Sequence, residues 1–330
     1  MPEEHSFPKL VENLRSNYLA LRNRSNLCPP SGKLAYEVLS ERIGGRMVES
    51  FWYEDEQDET AFGTFVRLVD IPGSLSGDIL RLHRDLPLIE GHFEVDGDVI
   101  RQITNPPQPP IREEDSEDLT PILARLPEIE IDASRHFTKK GRYRSEVENL
   151  LKCQGGSCPG IPLSPHIIKL LGKSPAGELV FEKLDPRYFA LGRFFSIAIY
   201  KQWTLHIIAA LKILHSLGIV YRDLHIENLL FSTDGQTLIL ADLEGRWGQR
   251  SAPEIVLEDT LDSNWTEKSD IYDIGVVIKC IIYANIPITS EVEWPVPPPF
   301  DRIVEACTRT DPAERPELIE LEAMVESIST

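Results

Sequence analysis

Positive charge is what this sequence has least of. Only 34 of its 330 residues are Lys or Arg, against 53 Asp or Glu, giving a formal charge of -19 and a pI near 4.9. That balance excludes a broad nucleic-acid-binding face, which needs clustered cations to displace counterions, and it disfavours steering of anionic partners. Cysteine is scarce too. Its five residues (Cys28, Cys153, Cys158, Cys280 and Cys307) are odd in number and mostly isolated, which suits a reducing compartment better than a disulfide framework. Only Cys153 and Cys158 stand close, in KCQGGSCPG, and no second Cys or His pair lies at a matching distance to complete a zinc site. The start, MPEEHSFPKL, lacks the basic residues and apolar run of a secretory signal, and no stretch reaches the roughly 18 uninterrupted apolar residues of a membrane span. These absences predict an intracellular protein, cytoplasmic or nuclear, with neither nucleic acid nor membrane as partner.

What is present is enough apolar sequence, 42% of the chain, to bury one large core or two smaller ones. The stretch NPPQPPIREEDSEDL, 105–119, joins prolines to a run of acids and packs poorly, so the main boundary is expected there. Before it, residues 9–24 read as a helix, and 62–71 and the pair GHFEV and DVIRQI around Asp96-Gly97 read as strands of a small α+β region, 1–104. Beyond a linker over 105–120, IEIDASRHF predicts a strand and RYRSEVENLLKC a helix with Val147, Leu150 and Leu151 on one side. HIIKLLGK and GELVFEKL predict two strands. A long amphipathic helix, FSIAIYKQWTLHIIAALKILHSLG, follows, closed by Gly218 at a position that favours glycine. LLFS and LILADLE are then strands joined at Asp234-Gly235, DIYDIGVVIKCIIYA is a buried helix, and a last helix starts near Pro316.

Strands first and helices afterwards, with the polar loop YRDLHIEN between the long helix and a hairpin, predict two lobes with a cleft at that loop. Phosphoryl transfer from ATP needs a carboxylate at the acceptor hydroxyl, oxygens for magnesium and a cation on the phosphates. Residues 221–230, YRDLHIENLL, resemble the protein kinase catalytic loop H-R-D-x-x-x-x-N, with Tyr221 in place of the first His and Arg222, Asp223 and Asn228 matching. LILADLEG places Asp242 where kinases carry D-F-G, with Glu244 displacing the glycine by one position. Ala252-Pro253-Glu254 resembles A-P-E, SDIYDIG resembles the start of the family's central helix, and DPAERP resembles its late P-x-x-R-P.

The chain thus resembles the eukaryotic-type protein kinase-like superfamily over about residues 125–325, most closely the kinase-like proteins that filamentous fungi encode in many copies. The resemblance implies a bilobal α+β fold, with a reduced small lobe over 121–184 and a helical large lobe over 185–330. It implies ATP and Mg2+ as cofactors and a protein as substrate or partner. Asp223 then orients and deprotonates the substrate hydroxyl, while Asn228 and Asp242 hold magnesium. Phe181 guards the nucleotide pocket, the Glu182 carbonyl and Leu184 amide meet adenine, and Leu230 floors it. Glu254 pairs with Arg315, and Asp270 accepts hydrogen bonds from the catalytic-loop backbone. Glu146 is the candidate for the helix glutamate that braces the ATP-anchoring lysine, with Glu148 a rival.

Several family features are missing. No G-x-G-x-x-G precedes these elements, since the glycines at 44, 45, 155, 156 and 160 stand at wrong spacings or places. There is no V-A-I-K. Lys139, in HFTKK, has the look of the anchoring lysine, but only seven residues separate it from Glu146, and Lys140 and Arg135 stand beside it as alternatives. Twelve residues from Asp242 to Glu254 leave little room for an activation loop, and Ser251 is its sole hydroxyl. His225 replaces a lysine two residues beyond the catalytic Asp. Three activities stay open: a Ser/Thr protein kinase of low activity, a pseudokinase scaffold, and a small-molecule phosphotransferase using Asp242-Leu243-Glu244 as a D-x-E metal pair.

Overall fold

In a computed structural model of the chain, the residues described are 7, 9–13, 15–16, 35–43, 46–54, 62–69, 91–96, 99–109, 116–185, 195–246, 248, 251–255, 264–283 and 296–330. They fall into two compact units, one of residues 13–114 and 286–295, the other of 1–12, 115–285 and 296–330. Small sheets and several helices make a mixed α+β protein, compatible with a kinase-like fold.

The first unit is a five-stranded sheet, β1 (Ala35–Ile43), β2 (Arg46–Glu54), β3 (Phe62–Val69), β4 (Phe93–Asp96) and β5 (Val99–Gln102), paired in sequence order. All neighbours are antiparallel except β3 and β4. Phe51, Trp52, Tyr53, Phe65, Val66, Phe93 and Val95 are buried. The expected pairing around Asp96-Gly97 is present as β4 against β5, with Asp96 opposite Val99, while Gly97 itself lies outside the described residues. Of the helix expected over 9–24, residues 9–13 and 15–16 are helical and 17–24 lie outside the described residues.

In the second unit a short helix, α1 (Thr120–Leu123), precedes a three-stranded antiparallel sheet in the order β6 (His136–Lys139), β8 (Leu179–Glu182), β7 (Leu170–Lys173). Helix α2 (Arg144–Lys152) follows β6 and buries Val147, Leu150 and Leu151, the side foreseen from sequence. The strand expected from Ile129 starts only at His136. Asp132 accepts from both the backbone N–H and the hydroxyl of Ser134, and this local turn displaces extended chain until residue 136.

The rest is helical around a two-stranded ribbon, β9 (Leu229–Phe231) and β10 (Leu238–Leu240), turned at Gly235 with φ +68°. Helix α3 (Ile197–Ser216) packs on β10, on α4 (Glu267–Tyr283) and on α6 (Leu318–Glu326). Ser196 caps its start by accepting from the Ile199 N–H, and Gly218, at φ +71°, turns the chain after its end. Among the described residues α3 alone is long and apolar enough to cross a membrane, with a mean hydropathy of 1.2. Its Tyr200, Trp203, Ile207, Ile208, Leu211 and Leu214 are buried, as in a core helix. α4 approaches α5 (Asp301–Cys307) so closely at Gly275 that an added Cβ would lie 2.9 Å from the Cys307 Cβ. The last helix starts at Leu318, two residues after Pro316 and close to where it is expected, with Glu317 and Glu320 forming a reciprocal cap at its start.

Asp273, one turn after Asp270 on α4, is buried, and its Oδ1 has no hydrogen-bond partner among the described residues. Burial, with Asp270, Asp223 and Glu254 adding repulsion against the pull of Arg315, pushes its carboxyl well above the ordinary carboxylate value. A carboxyl raised in the folded state binds protons that the unfolded chain releases, so stability falls as pH climbs from the ordinary value of 3.8 toward the folded one. Asp273→Asn is expected to flatten that slope and to raise neutral-pH stability by about 1–3 kcal/mol, the usual cost of an unsatisfied buried polar group. Urea unfolding at acid and neutral pH reads both effects, and an unaltered slope contradicts the account.

Candidate active site

The loop after α3 is fixed from below by one carboxylate. Asp270, fully buried, accepts from the N–H of Tyr221 and of Arg222, both at 2.8 Å, and its Oδ2 lies 2.7 Å from His215 Nε2. Arg222 is thereby held at φ +69°, a conformation uncommon outside glycine, and its guanidinium lies 5.5 Å from the centroid of the Trp265 ring. A five-residue step then folds the loop back. The Asn228 amide donates to the Asp223 carbonyl at 3.0 Å and to its Oδ2 at 2.9 Å. His225 Nε2 lies 3.3 Å from the same oxygen. Burial works against a charge on His225, but Asp223, Glu227 and Asp242 together outweigh it and raise its value.

Asp242 is tied to this loop through its neighbour. Ala241 donates its N–H to the Asn228 carbonyl at 2.9 Å and accepts at its own carbonyl from the Tyr221 hydroxyl. Tyr221 is thus a buried strut in the place of the expected histidine. Asp242 stands at φ +52°, a second non-glycine residue in left-handed backbone. Leu243 is buried behind it. Glu244 is pushed up to about 7, by burial first and then by Asp242, and its Oε1 has no hydrogen-bond partner among the described residues.

The cation comes from β6. Lys139 Nζ donates to Glu146 Oε1 and to both oxygens of Asp242, each at 2.9 Å. The seven-residue separation suffices because α2 begins at Arg144 and places Glu146 in its first turn. Of the alternatives, Glu148, Arg135 and Lys140 are all exposed, whereas Glu146 is buried and Lys139 is half-buried. Burial opposes the Lys139 charge, but the two carboxylates outweigh it and raise its value. Burial raises Glu146, partly offset by Lys139.

Two further α2 residues, which the sequence reading did not single out, grip the same segment. Ser145 donates to the Glu244 carbonyl at 2.7 Å and Asn149 to the Leu243 carbonyl at 2.9 Å. The legible signal was their spacing: 145, 146 and 149 lie on one helix face.

The remaining candidates flank this group. Phe181 is buried on β8 opposite Phe137 of β6. Glu182 ends β8, and beyond Leu184 the chain returns at Asp185, whose N–H and C=O both pair with Phe231 of β9. Leu230, between the buried Leu229 and Phe231, faces the opposite side of the ribbon from them. Arg315 holds Glu254 through both guanidinium ends, at 2.6 and 2.7 Å.

No family model matches the chain. Curated proteins do. A probable serine/threonine-protein kinase of Dictyostelium discoideum is 28% identical over 155 residues, 38% of this chain and 25% of that protein. The serine/threonine-protein kinase chk-2 of Caenorhabditis elegans is 29% identical over 179 residues, 48% of this chain and 36% of the relative. A serine/threonine-protein kinase-like protein of Arabidopsis thaliana is 27% identical over 159 residues, 42% of this chain and 47% of the relative. These similarities support a protein kinase-like superfamily. The chain spans between a quarter and a half of the length of these relatives.

Proposed function

We propose that the second unit is an ATP- and Mg2+-dependent protein kinase that transfers the γ-phosphoryl group to a protein Ser or Thr hydroxyl, with 121–184 as its small lobe and 185–330 as its large one. The observation that carries this reading is the Lys139 ammonium, bonded at once to Glu146 and Asp242. A lysine bracketed in this way is positioned to release Asp242 to a metal and to meet phosphate oxygens itself. The donor set fits magnesium. Asn228 spends its amide N–H on Asp223, leaving its carbonyl oxygen, and Asp242 offers two carboxylate oxygens. Bound there, magnesium neutralises the charge on the phosphates.

Asp223 accepts the proton of the attacking hydroxyl. The new phosphate–oxygen bond forms as the bond to the leaving β-phosphate breaks, and Lys139 stabilises the departing charge. His225, whose proton affinity Asp223, Glu227 and Asp242 raise against the effect of burial, stands 3.3 Å from Asp223 Oδ2 and can donate there when protonated. The Glu182 carbonyl and Leu184 amide meet the base, beside Phe181 and over Leu230. The similarity to fungal kinase-like proteins belongs to this proposal too.

One observation favours a pseudokinase instead. β6 pairs only with β8 among the described residues, so no strand is seen to cover its other edge, where a phosphate lid would lie. Thermal unfolding with Mg·ATP separates the two readings. The kinase reading expects a rise of several degrees at saturating nucleotide, lost in Asp242→Asn, together with label transfer from γ-labelled ATP to protein. Absence of any nucleotide-dependent rise speaks for the scaffold.

A further inference from the structure

One acid of the charged run that precedes the three-stranded sheet does more than face solvent. Glu117 is fastened first by its backbone, its N–H donating to the Arg142 carbonyl at 2.8 Å. Two residues on, Leu119 is buried, and its Cδ1 would lie 2.8 Å from a Cβ added at Gly141. These contacts hold 117–119 against the turn between β6 and α2.

The two carboxylate oxygens of Glu117 then go to different elements. Oε2 accepts at 2.8 Å from the N–H of Arg144, the first residue of α2. A helix start leaves its first N–H groups without intrahelical partners, and the N-cap residue here, Tyr143, makes no side-chain capping bond. Glu117 therefore caps α2 from outside the helix, at the end where negative charge is favoured. Oε1 accepts from Arg246 Nη1 at 3.2 Å. The same guanidinium lies 4.7 Å from the centroid of the buried Tyr143 ring, so ring and acid together place Arg246 at the start of α2.

Arg246 stands four residues after Asp242, just beyond the segment that α2 already grips through Ser145, Asn149 and the Lys139–Glu146 pair. Gly245, at φ +64°, turns the chain between them, where an added Cβ would lie 3.3 Å from Asn149 Nδ2. Glu117 closes a ring of contacts that runs from the start of α2 to Arg246, back along 242–246, and through Lys139 and Glu146 into α2 again.

We infer that Glu117 is a positioning residue for the nucleotide site, an acid from upstream of the sheet that sets α2 and the Asp242 segment in one register. The inference rests on the kinase reading above and adds to it a residue that acts through Arg246 and the start of α2. The side chains of Glu117 and Arg246 are 44% and 28% exposed, so the ion pair alone is weak and the capping bond carries much of the effect.

Hydrogen exchange and Mg·ATP titration of the full chain test it. Glu117→Ala is expected to speed exchange at least about fivefold in peptides spanning α2 and 241–246, to leave α6 at the wild-type rate, and to weaken Mg·ATP about fivefold. Glu117→Gln keeps an oxygen for the Arg144 N–H but removes the charge beside Arg246, so it should speed exchange over 241–246 while α2 stays near the wild type. Wild-type exchange over 241–246 in either variant, or a rise in α6 alongside, makes Glu117 a surface charge or a general stability contact, and the inference is wrong while the kinase reading stands. Local changes in exchange with unaltered Mg·ATP affinity in Glu117→Ala overturn it as well. If the wild-type chain binds no Mg·ATP, the kinase reading is wrong and the inference falls with it.

Discussion

Arg315→Met is expected to cost about 3–5 kcal/mol of folding stability, the largest single loss in the molecule, because it removes a fully buried cation from acceptors with little access to water. The Arg315 side chain is 0% exposed. It grips Glu254 through both ends of the guanidinium, and its donors also reach the carbonyls of Lys268 and Arg309, both at 2.8 Å. Its charge stands 4.9 Å from the centroid of the Tyr272 ring. Methionine fills most of the volume and satisfies none of these acceptors, so the loss is one of pairing rather than of packing. Glu254→Gln is the contrast: the carbonyl contacts of Arg315 survive and one neutral acceptor remains, so the loss is expected to be smaller. The arginine also pulls against the upward shift of Asp273, so its removal steepens the fall of stability with rising pH. Urea unfolding of both variants measures these effects, and a loss under about 1 kcal/mol in Arg315→Met contradicts the account.

The large-lobe elements were legible in the sequence because their signals are local and redundant. Asp223 and Asn228 sit five residues apart on a loop bounded by Gly218, and Asp234-Gly235 announces the ribbon that follows. What escaped the reading depended on distant pairing. β1 and β2 went unnoticed, although Gly44-Gly45 separates two runs whose ends, Ile43 and Arg46, pair directly. The strand before Lys139 was drawn too long because the apolar alternation of Ile129 and Ile131 outweighed the turn chemistry of Asp132 and Ser134. Lys139 itself could not be chosen over Lys140 and Arg135 by spacing, since the contact that distinguishes it, Asp242, lies 103 residues away.

Two non-glycine residues in left-handed backbone, Arg222 and Asp242, bracket the site, and each is held there by hydrogen bonds at its own backbone or at its neighbour's. The Arg222 N–H is fixed by Asp270, and Asp242 follows an alanine locked on both its N–H and its carbonyl. Such conformations persist only where the surroundings over-determine them, and they concentrate where geometry serves function. The buried polar groups of the loop therefore carry information that the exposed acids of this strongly anionic chain do not.

Lys139→Met carries the other large expected effect, and it separates charge pairing from packing. Removing the ammonium leaves Glu146, 2% exposed, facing Asp242 with no cation between them. Glu146 is already raised by burial and by Asp242, so it is expected to rise further and take up a proton. A carboxyl raised in the folded state loses stability as pH climbs above its ordinary value of 4.5, so the variant should match the wild type near acid pH and fall behind by about 1–2 kcal/mol toward pH 8. The figure is kept low because Lys139 is 30% exposed and water screens part of the pair. Adding Glu146→Gln should recover most of that stability at high pH, since no buried charge is then left alone. It should not recover nucleotide binding, which is expected to weaken at least about tenfold in both variants, because the lysine that meets the phosphates is gone. Unfolding curves at two pH values and Mg·ATP titrations of the four proteins of this cycle decide the matter. Wild-type affinity for Mg·ATP in Lys139→Met would mean that the contact with Asp242 belongs to the fold alone and that the phosphates are held by some other group.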